Sequence, residues 1–312
     1  MIDADTAGTG DAGPEGPTRC GFVALVGAPN AGKSTLLNTL VGEKVAIVTP
    51  KVQTTRTRIL GIAVEGAAQM VFVDLPGIFT PKRRLERAMV AAAWRGADDA
   101  DLVVLLVDAA QRSLDEDTRG IAARLAEARR PAILALNKVD AAPHARLLPF
   151  ADELNRLAPF GDTFMISALT GDGVGDLRRA VAARLPDGPW LYPEDEITDM
   201  PMRLMAAEVT REKVFLRLHA ELPYAVAVET ESWEEFRDGS VRISQVIYVQ
   251  RDSQKAIVLG RGGQMIKAIG AAARQDLEQA LDRRVHLNLF VKVRDWVENA
   301  ELYRPWGLDF NA

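Results

Sequence analysis

The segment Gly27-Ala28-Pro29-Asn30-Ala31-Gly32-Lys33-Ser34-Thr35 holds glycine, lysine and hydroxyl at the spacing that wraps a chain around phosphate. Glycines let such a loop curl until its N–H groups point inward at phosphate oxygens, and a following helix adds the positive end of its dipole. In that arrangement Lys33 reaches the β- and γ-phosphates of a nucleoside triphosphate, and the Ser34 hydroxyl ligates Mg²⁺. Downstream, Asp74-Leu75-Pro76-Gly77 supplies a carboxylate that holds the metal through water and a Gly77 amide that touches the γ-phosphate.

Asn137-Lys138-Val139-Asp140 carries the base chemistry. A carboxylate at Asp140 accepts both N1–H and the exocyclic N2–H₂ of guanine. Adenine offers neither donor and would leave the carboxylate unpaired, a penalty large enough to discriminate. Asn137 is expected on the base edge and as a tie between loops, with the Lys138 stem over the ring. Ser167-Ala168-Leu169 follows, and its Ala168 amide is expected to donate to guanine O6. The base is therefore guanine, and the ligands are GTP and GDP with Mg²⁺. Between the phosphate loop and Asp74, Lys51-Val52-Gln53-Thr54-Thr55-Arg56-Thr57-Arg58 is rich in hydroxyls. A threonine here ligates Mg²⁺ while the γ-phosphate is present and lets go after hydrolysis, which makes the segment a switch. An ordinary exposed loop is the alternative reading.

A second constellation lies at Gly260-Arg261-Gly262-Gly263. A GxxG turn between helices lets backbone approach a nucleic-acid backbone closely, as in KH modules that clamp about four nucleotides of single strand. Arg251, Lys255, Lys267 and Arg274 flank it. Residues 241–294 hold ten basic and four acidic side chains, so the positive charge is local. A GxxG alone is often only a turn. Its helix–turn–helix–strand context favours RNA.

These residues need elements to hold them. Short apolar runs at 21–26, 69–74, 102–108, 132–137 and 162–167 read as buried strands. Helical patterns begin at Lys33 and run over 85–95, 114–128, 149–158 and 174–185. Strand–helix alternation predicts an α/β domain with a mostly parallel sheet and helices on both faces. Residues 186–201 carry four prolines and a run of acids and read as a linker. Beyond it, a helix (202–219), two strands (225–230, 241–250), the GxxG helix pair with its second helix at 264–281, and a strand (285–294) predict a small α+β domain. The expected division is a disordered tail (1–18), a nucleotide domain (19–188), a linker (189–200) and an RNA-binding domain (201–312).

Composition narrows the function further. With 48% hydrophobic residues in 312, the chain has material for two cores, and a net charge of −5 excludes a chain-wide attraction to nucleic acid. One cysteine, Cys20, cannot make an internal disulfide, and His144, His219 and His286 lack metal-ligand spacing. No apolar run reaches membrane-spanning length and no leader is apparent, so a cytoplasmic protein is expected.

The motifs GAPNAGKSTLLN, QTTRTR, DLPGI, NKVD, SAL, GPWLYPEDEITD, REKVF, ELPYAVAVE and VLGRGGQMIK together resemble the Era family of bacterial GTPases, from about residue 20 to 310. The resemblance implies a Ras-like P-loop G domain followed by a type II KH domain, in a GTP-controlled arrangement. It implies binding near the 3′ end of 16S ribosomal RNA, a role in 30S subunit maturation, and a monomer. It also permits peripheral contact with the inner face of the membrane. It singles out Lys33, Thr55 and Gly77 for hydrolysis, Ser34, Thr55 and Asp74 for Mg²⁺, and Gly260 to Gly263 for RNA. A basic residue that relatives often carry before the last glycine is replaced by Gly262, with Arg261 one position earlier. The glutamine that orients water in Ras-type enzymes is Ile78 here, so intrinsic hydrolysis is expected to be slow. Asn30 has two readings: it braces the loop, or it ligates a K⁺ ion beside the β- and γ-phosphates, as a phosphate-loop asparagine does in relatives.

Overall fold

The computed structural model describes residues 17–51, 54–56, 58–218, 226–294, 308, 309 and 311. Most of the expected tail lies outside them. Its last residue does not: Thr18 Oγ1 donates to the Gly188 carbonyl at 2.8 Å, and the Gly188 N–H returns a bond to the Thr18 carbonyl at 2.9 Å. Thr18 is thus bonded to the segment that follows α5, just ahead of the first strand.

The first unit is a six-stranded sheet in the order β2-β3-β1-β4-β5-β6. Its strands are β1 (Arg19–Val26), β2 (Ile59–Glu65), β3 (Ala68–Asp74), β4 (Leu102–Asp108), β5 (Ala132–Asn137) and β6 (Thr163–Met165). All neighbours run parallel except β2 and β3, an antiparallel hairpin closed through Gly66 and Ala67. Helices α1 (Lys33–Val41), α2 (Arg84–Asp99), α3 (Glu116–Ala128), α4 (His144–Leu157) and α5 (Val174–Arg184) cover both faces. Side chains alternate along β1 between two cores, Ala24 and Val26 facing one and Val23 and Leu25 the other. The carboxyl ends of β1, β3, β5 and β6 converge, which is where an open parallel sheet binds ligands.

Two elements depart from the sequence reading. Strand β2 was not expected, because ILGIAVE shows no polar alternation; the structure buries it on both faces, with Leu60 and Ile62 in one core and Ile59 and Ala63 in the other. Helix α4 begins before Pro149, which stands inside it. Packing of Leu147, Phe150 and Leu154 against the core outweighs the helix-starting preference of proline.

Residues 187–200 form a strap along the open edge of this sheet. The Ile62 N–H donates to the Ile197 carbonyl at 2.9 Å, Thr198 Oγ1 to the Leu60 carbonyl at 2.7 Å, and Trp190 Nε1 to the Ala67 carbonyl at 3.1 Å. The strap thereby satisfies backbone groups that an edge strand would otherwise present to other chains. Gln69 anchors it from inside. Its fully buried amide accepts from Leu191 N at 2.8 Å and Tyr192 N at 3.1 Å and donates to the Tyr192 carbonyl at 2.8 Å.

The second unit is a three-stranded sheet of β7 (Ala227–Glu235), β8 (Val241–Val249) and β9 (Val285–Val293), with β8 antiparallel to β7 and parallel to β9. It packs against α6 (Met202–Arg217), α7 (Asp252–Leu259) and α8 (Gln264–Leu281). The units touch directly, because Leu85, Ala88 and Met89 of α2 cluster with Ala227, Val246 and Tyr248.

The strap makes a stability prediction. Gln69→Leu keeps the volume but strands three backbone partners, and should lower unfolding free energy by about 1–3 kcal/mol. Urea unfolding measures it, and a change below about 0.5 kcal/mol would show that the amide does not hold the strap.

Candidate functional site

The loop between β1 and α1 turns through two left-handed residues, Asn30 at φ 62° and Gly32 at φ 101°. A Cβ at Gly32 would lie 2.2 Å from the Asn137 amide nitrogen, so only glycine lets the loop meet the end of β5. Lys33, 6% exposed, folds back and donates to the Gly27 and Ala28 carbonyls, both at 3.0 Å. Burial pulls its amine down to about 8, against the opposing pull of the Asp74 carboxylate. An ammonium held this way gains from any phosphate placed against it.

Three oxygen ligands meet beside it. Ser34 Oγ donates to Asp74 Oδ2 at 2.6 Å, Thr55 Oγ1 to the same oxygen at 3.0 Å, and the two hydroxyls lie 2.9 Å apart. Asp74 is fully buried at the end of β3. Burial raises its pKa, and Ser34, Lys33 and Thr55 offset only part of that rise. Its other oxygen, Oδ1, is buried with no hydrogen-bond partner. Hard oxygen donors around a carboxylate with a spare lone pair suit Mg²⁺. The pair Thr54-Thr55 divides its work: Thr54 Oγ1 bonds within its own loop, to Thr49 Oγ1 and the Lys51 carbonyl, both at 2.6 Å, and Thr55 faces the carboxylate.

A cleft of about 500 Å³ opens over these groups, lined among others by Asn30, Lys33, Lys51, Thr55, Gly77 and Lys138. Gly77 packs against Pro29, where a Cβ would come to 3.0 Å. Leu75 and Ile78 point into the core, and the Ile78 N–H donates to the Gly27 carbonyl at 3.1 Å. DLPG is thereby tied to the phosphate loop through backbone.

Of the expected base-binding residues, Lys138 lines the cleft. Asn137 is a buried brace: its Nδ2 donates to the Ala31 carbonyl at 2.8 Å and its Oδ1 accepts from the Ala168 N–H at 2.9 Å. The Ala168 N–H, expected at guanine O6, is bonded here to Asn137, whose amide joins three loops. Lys138 has a left-handed φ of 63° and pairs with Asp108 at 2.6 Å. Asp140 is exposed, and no described residue bonds to its carboxylate. Ser167 is buried and accepts from the Thr170 N–H at 3.2 Å, whereas the Leu169 side chain is exposed.

In the second unit, Gly260, Gly262 and Gly263 have φ of 69°, 58° and 77°. They join α7 to α8 through a single tight turn, and a Cβ at Gly260 would lie 2.7 Å from Met265 Cβ. Arg251, Arg261 and Lys267 are exposed around the turn, with Lys255 half-buried on α7. A groove of about 320 Å³ leads away from it between α8 and β9, where Lys267 and Arg274 flank Gly270, Leu287 and Leu289. The apolar wall of that groove was missed in the sequence. Leu287 and Leu289 read there as ordinary strand residues, and only the β8–β9 register places them opposite α8.

Comparisons with known proteins agree with this geometry. A family described as 50S ribosome-binding GTPase matches residues 22–138, and the KH domain family matches residues 221–297. The chain is 59% identical to the GTPase Era of Afipia carboxidovorans over 295 residues, 94% of this chain and 96% of the relative. It is 60% identical to the GTPase Era of Rhizobium meliloti, covering 94% of each. Among solved structures, an Aquifex aeolicus Era variant bound to GDP·AlF₄⁻ superposes with TM-score 0.87 at 38% identity, over 93% of this chain and 99% of the other. Era in complex with MgGDPNP and nucleotides 1506–1542 of 16S ribosomal RNA superposes with TM-score 0.88 at 38% identity, with the same coverage.

The buried lysine carries a pH prediction. A phosphate against Lys33 raises its pKa above the unliganded value, so binding takes up a proton once the free amine has lost its own. GDP affinity should therefore hold up to about pH 7 and weaken as pH rises through 8, by up to about tenfold per unit. Calorimetry from pH 7 to 9 against Lys33→Met, which lacks the titrating group, checks it. Identical profiles for the two proteins would exclude Lys33 as the source.

Proposed function

The chain belongs to the Era family of GTPases, and from that premise we propose that it binds the 3′ end of 16S ribosomal RNA and serves 30S subunit assembly, with GTP hydrolysis timing its release. The observation that carries this reading is the pairing, in one chain, of a phosphate cleft and a basic GxxG groove, when a relative of the same fold holds MgGDPNP and that RNA together. We take residues 19–188 as the G domain, 189–200 as the linker and 201–312 as the KH domain.

The chain is a GTPase, and each part of its cleft has a role in this reading. Lys33 and the loop amides bind the β- and γ-phosphates, and the Gly77 amide meets the γ-phosphate. Ser34, Thr55 and Asp74 hold Mg²⁺, which when bound neutralises charge developing on the phosphate oxygens. Asp140, exposed and unpaired among described residues, takes the two guanine donors; Lys138 covers the ring, and Asn137 keeps the loops in register beneath it. In the KH domain, Gly260 to Gly263 admit the RNA backbone, with Arg251, Lys255, Arg261 and Lys267 supplying charge.

One experiment tests the whole reading. A 3′-end 16S oligonucleotide should bind more tightly with a GTP analogue than with GDP. Gly263→Asp should abolish RNA binding and spare nucleotide affinity: it sets an anion and left-handed strain (φ 77°) at the RNA turn, where a new Cβ meets no heavy atom closer than 3.9 Å, and leaves the cleft of the first unit untouched. Asp140→Asn should transfer the nucleotide control from guanine to xanthine triphosphate. RNA affinity that ignores both the nucleotide and Gly263→Asp would defeat the proposal.

Hydrolysis needs charge stabilisation from elsewhere, because Ile78 is 6% exposed and has no polar atom to orient water. Asn30 fits the cation reading better than the bracing one. It is exposed at the mouth of the cleft, and its amide makes no hydrogen bond among the described residues. Turnover should be faster in K⁺ than in Na⁺ at equal ionic strength, and Asn30→Ala should erase the difference. Equal wild-type rates in the two salts would rule the cation out.

A further inference from the structure

The block Arg211-Glu212-Lys213-Val214-Phe215 on α6 has no place in either ligand site, yet Arg211 and Glu212 are 1% and 3% exposed. Charged side chains are rarely buried so deeply unless they are paired. Their partners lie across the domain boundary, on the segment that carries Thr55. Glu212 Oε1 accepts the Val48 N–H at 2.9 Å, and its Oε2 accepts from Lys44 Nζ at 2.7 Å. Arg211, paired with Glu208 on its own helix, donates through Nη2 to the Thr54 carbonyl at 2.5 Å. Lys51 reaches the other way and donates to the Phe215 and Leu218 carbonyls at the end of α6. Lys213 and Asp276 close the charge around Glu212, both bonded to the same cluster as Lys44.

The contacts run up to one residue. They fall at Lys44, Val48, Lys51 and Thr54, and the next residue is Thr55, whose hydroxyl lies 3.0 Å from Asp74 Oδ2. A segment with backbone held at Val48 and Thr54 has little freedom left at Thr55. Releasing those bonds would return the conformational entropy that keeps a polar loop mobile. Burial raises the Glu212 pKa, but Lys44, the Val48 N–H and Lys213 together outweigh it and keep the carboxyl below its ordinary range. It is therefore ionised at neutral pH.

We propose that α6 is a clamp in which Arg211 and Glu212 act as positioning residues for hydrolysis, holding Thr55 at the Ser34–Asp74 cluster from the second domain. The inference rests on the GTPase reading of that cluster and adds to it that the G domain's switch is completed by its own KH helix. By linkage, whatever moves α6 alters γ-phosphate binding, and the nucleotide alters the position of α6 to the same extent.

The test uses the full chain. Hydrogen exchange reads the clamp directly, without turnover: Glu212→Ala should speed exchange at the Val48 amide and its neighbours and leave exchange in β1 unchanged. In steady-state assays the same variant should lower kcat for GTP by about tenfold and leave GDP affinity within about twofold, which also reports that it folds. Glu212→Gln retains an acceptor for the Val48 N–H and should lose less. The decisive comparison is with Thr55→Ala. If Glu212 acts through Thr55, adding Glu212→Ala to that background should change kcat by less than about twofold. Fully additive losses, or unaltered exchange at Val48, would overturn the clamp while leaving the GTPase reading intact. A wild-type chain that fails to hydrolyse GTP would overturn the underlying reading as well.

Discussion

Burying Asp74 at the end of β3 sets a problem that shapes everything around it. Its environment raises its pKa, so the ionised carboxylate is less favourable in the folded chain than in the unfolded one. The sign matters. Such a group costs folding stability as pH climbs past its unfolded pKa, the reverse of a salt-bridged aspartate. The hydroxyls of Ser34 and Thr55 and the charge on Lys33 recover part of that cost. A divalent cation held by these oxygen groups would recover more. The phosphate loop, the segment carrying Thr55 and the DLPG turn therefore converge on a carboxylate that a bound cation would relieve, which would couple binding to stability.

Placement of the carboxylate follows from the sheet. Strand β3 is internal, paired with β1 on one side and β2 on the other, so backbone bonds fix the end of β3 beside the strand that leads into the phosphate loop. That rigidity has a consequence at Ile78. One residue past Gly77 the chain turns into the core, and its backbone N–H bonds Gly27. A glutamine there could not face the cleft without breaking this packing. The architecture that ties the two phosphate-sensing loops together is also what removes a water-orienting side chain from the usual position.

The phosphate loop, the DLPG turn and the GxxG turn were legible because each is a local arrangement whose residues must stand at fixed spacing. Gly32 is forced by a 2.2 Å approach to Asn137, and no other residue meets that constraint. What escaped was long-range. Strand β2 has no alternation because both its faces are covered. The strap at 187–200 read as a loose linker since its proline and acid content says nothing about Gln69, well over a hundred positions earlier. The bond between the Ala168 amide and Asn137 joins residues 31 positions apart, a distance that hides it in the sequence. In α6, the sequence shows a helix but not that its charged block is enclosed between two domains.

The enclosure of α6 also explains why charge stands at a boundary where leucines would bury more easily. An apolar interface holds two bodies together regardless of what is bound. A desolvated network such as Glu212 with Lys44 and Lys213 loses most of its value once geometry slips, because each partner is left without its counter-charge. The contact of α2 with Ala227, Val246 and Tyr248 is of the apolar kind. The polar contact of α6 falls instead at Lys44, Val48, Lys51 and Thr54. One boundary thus has an apolar half and a charged half, and the charged half runs up to the cluster of Ser34, Thr55 and Asp74. If α6 acts as the proposed clamp, the apolar half would keep the two domains together while the charged half answers to the geometry of that cluster.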